Sequence, residues 1–183
     1  RWGIVSDVET SPYPRDYPQD NVYLTAMNGY ELGRERFPTL GADRPSKVSP
    51  QKRERCPQNM FDPILRKFAA SRPAVALRYR TRLVGFVETG DRVIADLEDM
   101  TSGRREQIEA RYIAGCDGAH SLVRETLGIA MQGQPALTYT TNVIFRCADF
   151  NALHDKQPAY RQVFIGPEGT WATIVAINGR DQW

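Results

Sequence analysis

The sequence predicts a mixed α/β fold, made from two domains that exchange segments of the chain. Runs of β-forming residues alternate with loops rich in turn residues. Two helix-like segments are interleaved with these runs instead of following them as a block. A chain of 183 residues with 41% hydrophobic residues can also bury a sizeable core.

The first part of the chain predicts a linker, a hairpin and a loop. Residues 1–21 contain "SPYPRDYPQD", whose three prolines are typical of an irregular linker. Asn28 and Gly29 lie between two runs of β-forming residues and predict a hairpin with a type I′ turn. Residues 38–57 are dense in proline, serine and charge, and they predict a loop.

A helix is predicted in "QNMFDPILRKFAAS", residues 58–71. Apolar residues recur there at i, i+3, i+4 and i+7, which gives the helix one apolar face. They are Phe61, Ile64, Leu65 and Phe68. Asp62 and Pro63 suit an N-cap and a first helical position, while Asn59 suits the cap of an earlier start. The following "VALRY" predicts a strand.

Residues 82–114 predict a three-stranded meander. "RLVGFVET" and "RVIADLED" are separated by a turn at Gly90-Asp91, and "TSG" leads into "REQIEARYIAGCDG" as the third strand. In the second strand Val93, Ala95 and Leu97 alternate onto one face. Three later segments predict further strands: "TNVIFRCADF", "RQVFIG" and "TWATIVAI".

Composition argues against several function classes. The formal net charge of +2 is too balanced for a protein whose main task is binding nucleic acid. Cys56, Cys116 and Cys147 are odd in number and far apart, and His120 and His154 are also distant, so neither disulfides nor a metal site are favoured. A cytoplasmic location is therefore the default expectation, and no apolar run is long enough to span a bilayer.

The stretch "YIAGCDGAHSLVRETLGI", residues 112–129, carries the most chemical information. Its Asp117, His120 and Ser121 do not predict a hydrolytic triad, because a triad assembles from distant segments and no G-x-S-x-G turn is present. Asp117 and Gly118 can instead form a simple turn after a strand, with Ser121 capping a helix that Gly128 ends.

A cofactor site uses the same strand, turn and helix differently. Backbone N–H groups at the start of a helix near Ser121 would bind diphosphate or hydroxyl oxygens. Asp117 would accept a hydrogen bond from a ribose or ribityl hydroxyl. Arg124 would hold either the loop or a phosphate by charge-assisted hydrogen bonds. Cys116, just before the turn, is expected to be a packed small hydrophobic residue.

A family resemblance favours the cofactor site. The run "DGAHSLVR" from Asp117, behind a predicted strand Tyr112–Cys116, resembles the Asp-Gly motif of the p-hydroxybenzoate hydroxylase-like flavoprotein aromatic hydroxylases. "CPQNMFDPIL" resembles the Pro-Gln helix start of that family, whose glutamine corresponds to Gln58. "GYELGRERFP" resembles a substrate-domain hairpin of the phenol hydroxylase-like branch, and "RWGI" resembles the end of the helix after the first nucleotide-binding segment.

The resemblance implies a Rossmann-like FAD/NAD(P)-binding domain interleaved with a β-sheet substrate domain. Residues 1–21 and 56–130 would belong to the first, and residues 22–55 and 131–183 to the second. The family's G-x-G-x-x-G and its C-terminal Gly-Asp motif are absent. Because the chain also starts at Arg1 and stops soon after a strand-like run, we expect a piece of a longer protein, incomplete at both ends.

The resemblance also implies the chemistry. NAD(P)H would reduce FAD, O₂ would form a C4a-hydroperoxide on the reduced flavin, and the distal oxygen would pass to a phenol or another aromatic ring. No catalytic side chain is assigned and no metal is expected. The implied cofactor-binding residues are Gln58, Asp117, Gly118 and Arg124. The candidate substrate-binding residues are Tyr160, Arg161, Phe164 and Trp171.

The expected partners are a small aromatic substrate and O₂, without nucleic acid or a membrane span, and a homodimer is the candidate assembly. The isolated piece is expected to bind FAD poorly and to be inactive. Two other classes stay open. One is another FAD-dependent oxidoreductase of the same fold, such as an epoxidase, a halogenase or a reductase. The other is a non-catalytic β-rich binding module in which the Asp-Gly turn is incidental.

Overall fold

The computed structural model describes residues 2–183, so the Arg1 end of the predicted linker and of "RWGI" lies outside the described residues. The chain divides into two compact units. The first contains the residues up to Pro73 together with Asn142–Trp183, and the second is Ala74–Thr141. Both combine helix and strand, which confirms the mixed α/β fold class.

The first unit contains a four-stranded sheet and two helices. The strands are β1 (Asn21–Leu24), β2 (Glu31–Glu35), β6 (Arg161–Gly166) and β7 (Gly169–Val175), and the helices are α1 (Val5–Glu9) and α2 (Gln58–Ala70). A short 3₁₀ helix covers Phe150–Ala152. The strand order is β2-β1-β6-β7, and the central β1–β6 pair is parallel while the outer pairs are antiparallel.

Side chains that alternate between buried and less buried positions along β1 and β6 hold this sheet against the core. Val22 and Leu24 are fully buried in β1 and pack with Phe164 of β6 and Ala159. A second cluster joins the proline-rich segment to the residues that follow β7. Its buried members are Tyr13, Tyr17, Leu40, Phe150, Ala176 and Trp183. The segment predicted as an irregular linker is therefore partly core, and it also contains the short helix α1.

The hairpin is confirmed, but its predicted turn type is wrong. The Thr25 N–H donates to the Tyr30 carbonyl at 3.0 Å, and the Gly29 N–H donates to the Ala26 carbonyl at 3.0 Å, so the loop has four residues. Neither Asn28 nor Gly29 has the positive φ that a type I′ turn requires. Gly29 is needed for space, because a Cβ there would lie 2.3 Å from Thr25 Oγ1.

Helix α2 is confirmed with its apolar face, but it starts earlier than either predicted cap allows. Its N-cap is Pro57, whose carbonyl accepts from the N–H groups of Met60 at 2.8 Å and Phe61 at 2.9 Å. Pro63 consequently lies inside the helix, where it donates no hydrogen bond. The four apolar residues of the predicted stripe are half-buried, whereas Asp62 and Pro63 between them are exposed.

The second unit is built on the predicted meander. Strands β3 (Thr81–Thr89), β4 (Arg92–Asp99) and β5 (Arg105–Ala110) pair antiparallel in that order. Gly90 and Gly103 turn the chain with φ of 71° each. Val93, Ala95 and Leu97 are buried on one face, as predicted. Helix α3 (Leu122–Thr126) packs on β3 and supplies Val123 to the same core.

Three predicted strands are wrong. "VALRY", "TNVIFRCADF" and the segment Tyr112–Cys116 lie outside every strand of residues 2–183. A strand needs a neighbour that pairs with its backbone groups, and among the described strands none forms a ladder with these segments. Within "TNVIFRCADF" the pairing is limited to residues 181–183, where Phe145 and Trp183 exchange hydrogen bonds and Arg146 forms an isolated bridge with Gln182.

Candidate functional site

The Asp-Gly turn in the second unit is held by the Asp117 carboxylate. Asp117 Oδ2 accepts from the backbone N–H of Leu122 at 2.7 Å and of Val123 at 3.4 Å. Oδ1 accepts from the Ser121 hydroxyl at 2.5 Å. Ser121 Oγ in turn accepts from the Arg124 N–H at 3.0 Å, so Ser121 is the predicted N-cap of α3. The aspartate and the serine together satisfy the first N–H groups of the helix.

These contacts define what the turn can offer to a ligand. The N–H groups that were predicted to bind a diphosphate already donate to Asp117 and Ser121, so the start of α3 presents no free set of donors. The Asp117 side chain is exposed. The Ser121 hydroxyl, with help from the backbone N–H groups of Val123 and Leu122, lowers the pKa of Asp117 against the opposing effect of desolvation. Asp117 is therefore an ionised, accessible acceptor at neutral pH.

Arg124 fixes the same turn from the other side. Its Nη1 donates to the Ile129 carbonyl at 3.0 Å, and its Nη2 donates to the Ala119 carbonyl at 3.0 Å. Gly128 has φ of 67° and ends the helix in the left-handed region, as predicted. Arg124 therefore holds the loop, and its direct contact with a cofactor stays a prediction.

Two glycines shape the turn. Gly118 has φ of 79°, in agreement with the prediction that this position needs positive φ. Gly115 lies directly against α3, because a Cβ there would be 2.8 Å from Val123 Cβ and 3.1 Å from Asp117 Oδ1. Val123 is 7% exposed and packs on Phe86, Val93 and Ala95, so it is anchored to the sheet. The turn is rigidly placed on the meander.

Cys116 differs from its prediction. Its side chain was expected to be packed, but the residue is exposed. In the Tyr112–Cys116 segment Ile113 packs against the core of the meander, whereas Cys116 lies among exposed residues. All three cysteines are free. Among residues 2–183, His, Cys, Asp and Glu form no group of three that would hold a metal ion.

Gln58 lies in the first unit, at the first residue of α2. It is exposed and borders a cleft of about 470 Å³. Ile144, Phe145, Arg146 and Gln182 also line this cleft. Asn59, the next residue of the helix, donates from Nδ2 to Gln182 Oε1 at 3.4 Å. The Gln58 amide, with both donor and acceptor atoms, is thus displayed beside an apolar surface.

A second cleft of about 350 Å³ adjoins the Gln58 cleft, because Pro57 and Ile177 border both. Tyr13 and Tyr160 contribute aromatic walls, and the residues after β7 contribute apolar ones. Arg55 also borders this cleft, with its Cζ 3.2 Å from the centre of the Tyr160 ring. Two of the predicted residues, Gln58 and Tyr160, therefore border neighbouring clefts of one unit.

The other candidate substrate residues lie elsewhere. Alternation along β6 is confirmed, with Phe164 buried and Arg161 exposed. Phe164 is 4% exposed in the cluster of Val22 and Leu24, and its ring lies 5.3 Å from that of Trp171. Trp171 is 66% exposed on β7. Of the four, only Tyr160 borders the second cleft. Sequence reasoning missed Arg55 and Tyr13, because their spacing carries no motif.

Comparison with known proteins identifies the family to which this chain belongs. A family model described as "FAD binding domain" matches residues 1–182. The chain belongs to this family, which confirms the resemblance that the sequence suggested. No helix within residues 2–183 is long and apolar enough to cross a membrane.

Several curated proteins and solved structures are similar to this chain. The 2,4-dichlorophenol 6-monooxygenase of Delftia acidovorans is 31% identical over 169 residues, which are 90% of this chain and 28% of that protein. The tetracenomycin B2 monooxygenase-dioxygenase of Streptomyces olivaceus is 37% identical over 111 residues, which are 60% of this chain and 20% of that protein. The rebeccamycin biosynthetic enzyme RebC, solved with reduced flavin, is 28% identical with a TM-score of 0.84.

The match to RebC covers 99% of this chain and 34% of that structure. This chain thus spans about a third or less of the length of the relatives that it matches.

Proposed function

We propose that the full-length protein containing this chain is a flavin-dependent monooxygenase that hydroxylates a phenol or another aromatic ring with O₂ and NAD(P)H. The family match over residues 1–182, together with relatives named as aromatic monooxygenases, carries the proposal. FAD supplies the activation of oxygen when it is bound. The side chains of this chain bind the cofactor and the substrate, orient them and exclude water.

The residues present fit FAD on two observations. Asp117 is an exposed, ionised acceptor on a rigid turn, which suits a ribose or ribityl hydroxyl. Gln58 displays an amide at the edge of an apolar cleft, which suits the polar edge of a flavin ring. In this proposal Gly118 gives the turn its conformation, and Arg124 holds the turn in place and contacts the cofactor.

The cleft of Tyr13 and Tyr160 is the proposed substrate site. It adjoins the Gln58 cleft through Pro57 and Ile177, so a ring bound there would lie beside the residue assigned to the flavin. Its largely apolar walls would exclude water from an oxygen-transfer reaction. Arg161, Phe164 and Trp171 remain proposed contributors through strands β6 and β7, of which β6 begins directly after Tyr160.

We also propose the domain division that the resemblance implies. Residues 1–21 and 56–130 would belong to the FAD-binding domain, and residues 22–55 and 131–183 to the substrate domain. The four strands of the first sheet all come from residues 21–35 and 161–175, which supports a separate substrate sheet. The meander and the Asp-Gly turn both lie within residues 56–130.

The test is steady-state oxidation of NADPH and NADH by the purified full-length protein loaded with FAD, with and without a panel of phenols. We expect a phenol to stimulate oxidation of at least one nucleotide, and ¹⁸O from ¹⁸O₂ to appear in the aromatic product. Stimulation without labelled product would point to another flavin-dependent oxidoreductase. A protein that binds no flavin would contradict the enzyme assignment.

A further inference from the structure

We propose that the guanidinium of Arg55 binds an anionic oxygen on the aromatic substrate, so that the enzyme selects arenes with a carboxylate or an ionised phenol. This inference rests on the proposed monooxygenase function and names the substrate class for the same site. It starts from the charge balance of the cleft that Tyr13 and Tyr160 line.

Arg55 is a cation whose partners are neutral. Its Nε donates to Gln19 Oε1 at 2.5 Å, and its Cζ lies 3.2 Å from the centre of the Tyr160 ring. Among residues 2–183 it makes no salt bridge, and neither aspartate nor glutamate is a cause of its pKa shift. A half-buried guanidinium with only neutral partners favours an anion from outside the chain.

Glu54 is a carboxylate that borders the same cleft, but it is already paired with two other cations. Glu54 pairs with Arg15, whose Nη1 and Nη2 lie 2.5 Å and 3.0 Å from its two oxygens. Lys52 Nζ lies 2.7 Å from Glu54 Oε1. Two cations therefore share one carboxylate, and both of them lower the pKa of Glu54. Glu54 cannot also neutralise Arg55.

The surroundings of Arg55 add positive charge. Burial lowers the pKa of Arg55, and the charges of Arg53 and Arg161 lower it further, while Tyr160 and Tyr13 act in the opposite direction. A bound anion would offset both the cost of burying the Arg55 charge and its repulsion by Arg53 and Arg161. The gain would be larger than at an exposed arginine, because part of the desolvation cost has already been met in the folded chain.

The remaining walls fit a ring. Tyr13, Tyr160, Val175 and Ile177 border a cleft of about 350 Å³, within the usual range for small-molecule sites. A neutral arene would satisfy these walls and leave the cation without a counter-charge. An arene with one anionic oxygen would pack against these walls and also neutralise the cation. The guanidinium is also suited to a carboxylate, because two of its N–H groups can donate in parallel.

The test compares matched ligands on the FAD-loaded full-length protein. One pair is 3-hydroxybenzoate and 3-hydroxybenzamide, which differ in a carboxylate charge. The other is 4-nitrophenol, above the pH at which it ionises, and 4-nitroanisole, which differ in a phenolate charge. Dissociation constants come from the change in flavin absorbance without reductant, and kcat/KM follows from NAD(P)H oxidation. Each is measured for the wild type, Arg55→Met, Arg55→Lys and Arg82→Met.

We expect the wild type to bind the charged member of at least one pair about tenfold or more tightly, as a hydrogen-bonded charge pair provides. The pair that shows the preference identifies the source of the anionic oxygen. Arg55→Met should bring the ratio close to one, and Arg55→Lys should retain part of it. Arg82→Met should keep the wild-type ratio, because Arg82 pairs with Glu98 on the meander and neither borders this cleft nor belongs to the charges that act on Arg55.

Two results would overturn the inference while the proposed function stands. The first is a wild type that hydroxylates phenols but binds both members of each pair equally, which needs no variant to fold. The second is an Arg55→Met protein that keeps its flavin and the wild-type ratio. A wild type that holds no flavin and oxidises no NAD(P)H with any arene would overturn the proposed function, and the inference with it.

Discussion

Replacing Gly115 with alanine should loosen the Asp-Gly turn, because the added Cβ would crowd both helix α3 and the Asp117 carboxylate. The added Cβ would lie 2.8 Å from Val123 Cβ, 3.1 Å from Val123 Cγ1 and 3.1 Å from Asp117 Oδ1. Ordinary contacts of this kind are roughly 3.5–4.0 Å. The segment 112–116 and helix α3 must therefore separate, and Val123 cannot yield by itself because it is packed on the sheet.

The free-energy cost of Gly115→Ala follows from overpacking of the contact with helix α3. Inserting a methyl group into a packed contact costs about 1–3 kcal/mol. No backbone strain is added, because Gly115 does not have positive φ. If the cost falls on local opening of the turn, amide hydrogen exchange in residues 112–129 should become about 5-fold to 150-fold faster. The FAD dissociation constant should rise too, because the same movement displaces Asp117.

The assay is hydrogen exchange with mass spectrometry on the full-length protein, followed by titration with FAD. Gly85→Ala is the matched control in the same unit, because its Cβ would meet only Asp96 Oδ2 at 4.0 Å. It should leave exchange in residues 112–129 and FAD binding unchanged. Unchanged exchange there in Gly115→Ala would refute the packing argument. Faster exchange with unaltered FAD affinity would refute the role of the turn in binding.

Two further predictions concern Asp117 and the four-stranded sheet. The pKa of Asp117 is lower in the folded chain than in the unfolded chain, so its stabilising contribution is complete above the ordinary carboxyl pKa of about 3.9 and is lost as the pH falls through the lower folded value. Protection of α3 amides should follow this window in the wild type and not in Asp117→Asn. Phe164→Ala should reduce the free energy of unfolding by about 3–5 kcal/mol in urea denaturation, because Phe164 is 4% exposed. Trp171→Ala, at a residue 66% exposed, should change it far less; equal losses would contradict the assigned burial.

Local patterns in the sequence were sufficient for the elements that depend on local contacts. The meander was predicted because its strands alternate and its turns contain Gly90 and Gly103, and neighbouring strands pair with each other. The cap at Ser121 and the stop at Gly128 were predicted because both depend on residues within one helical turn.

The same local patterns could not predict contacts between distant parts of the chain. The parallel pairing of β1 with β6 joins Asn21–Leu24 to residues from the far end of the chain, and no periodicity encodes that neighbour. Tyr112–Cys116 has the composition of a strand, yet strand formation depends on a partner. The start of α2 at Gln58 agrees with the predicted range and with the Pro-Gln helix start, but both predicted caps were wrong, because the Pro57 carbonyl begins the helix before Asn59 and Pro63.

The same difference between local patterns and long-range contacts applies to the candidate site. The residues of the Asp-Gly turn were predicted because the motif is continuous in sequence, and the structure brings Asp117, Ser121 and Arg124 together. The cation of the second cleft was missed, because Arg55 meets Tyr160 only through the fold. The charge of a lone arginine in a loop carries no information about which aromatic ring it will contact.

The central claim, that this chain is part of an FAD-dependent enzyme, is tested most directly by the visible absorbance spectrum of the purified full-length protein, alone and after loading with FAD. Asp117→Ala and Gln58→Ala are measured beside it. We expect bound flavin in the wild type and a clearly weaker flavin affinity in both variants, with Gly85→Ala as the unaffected control. A wild type that stays colourless after loading would contradict the account, and so would variants that bind FAD as tightly as the wild type.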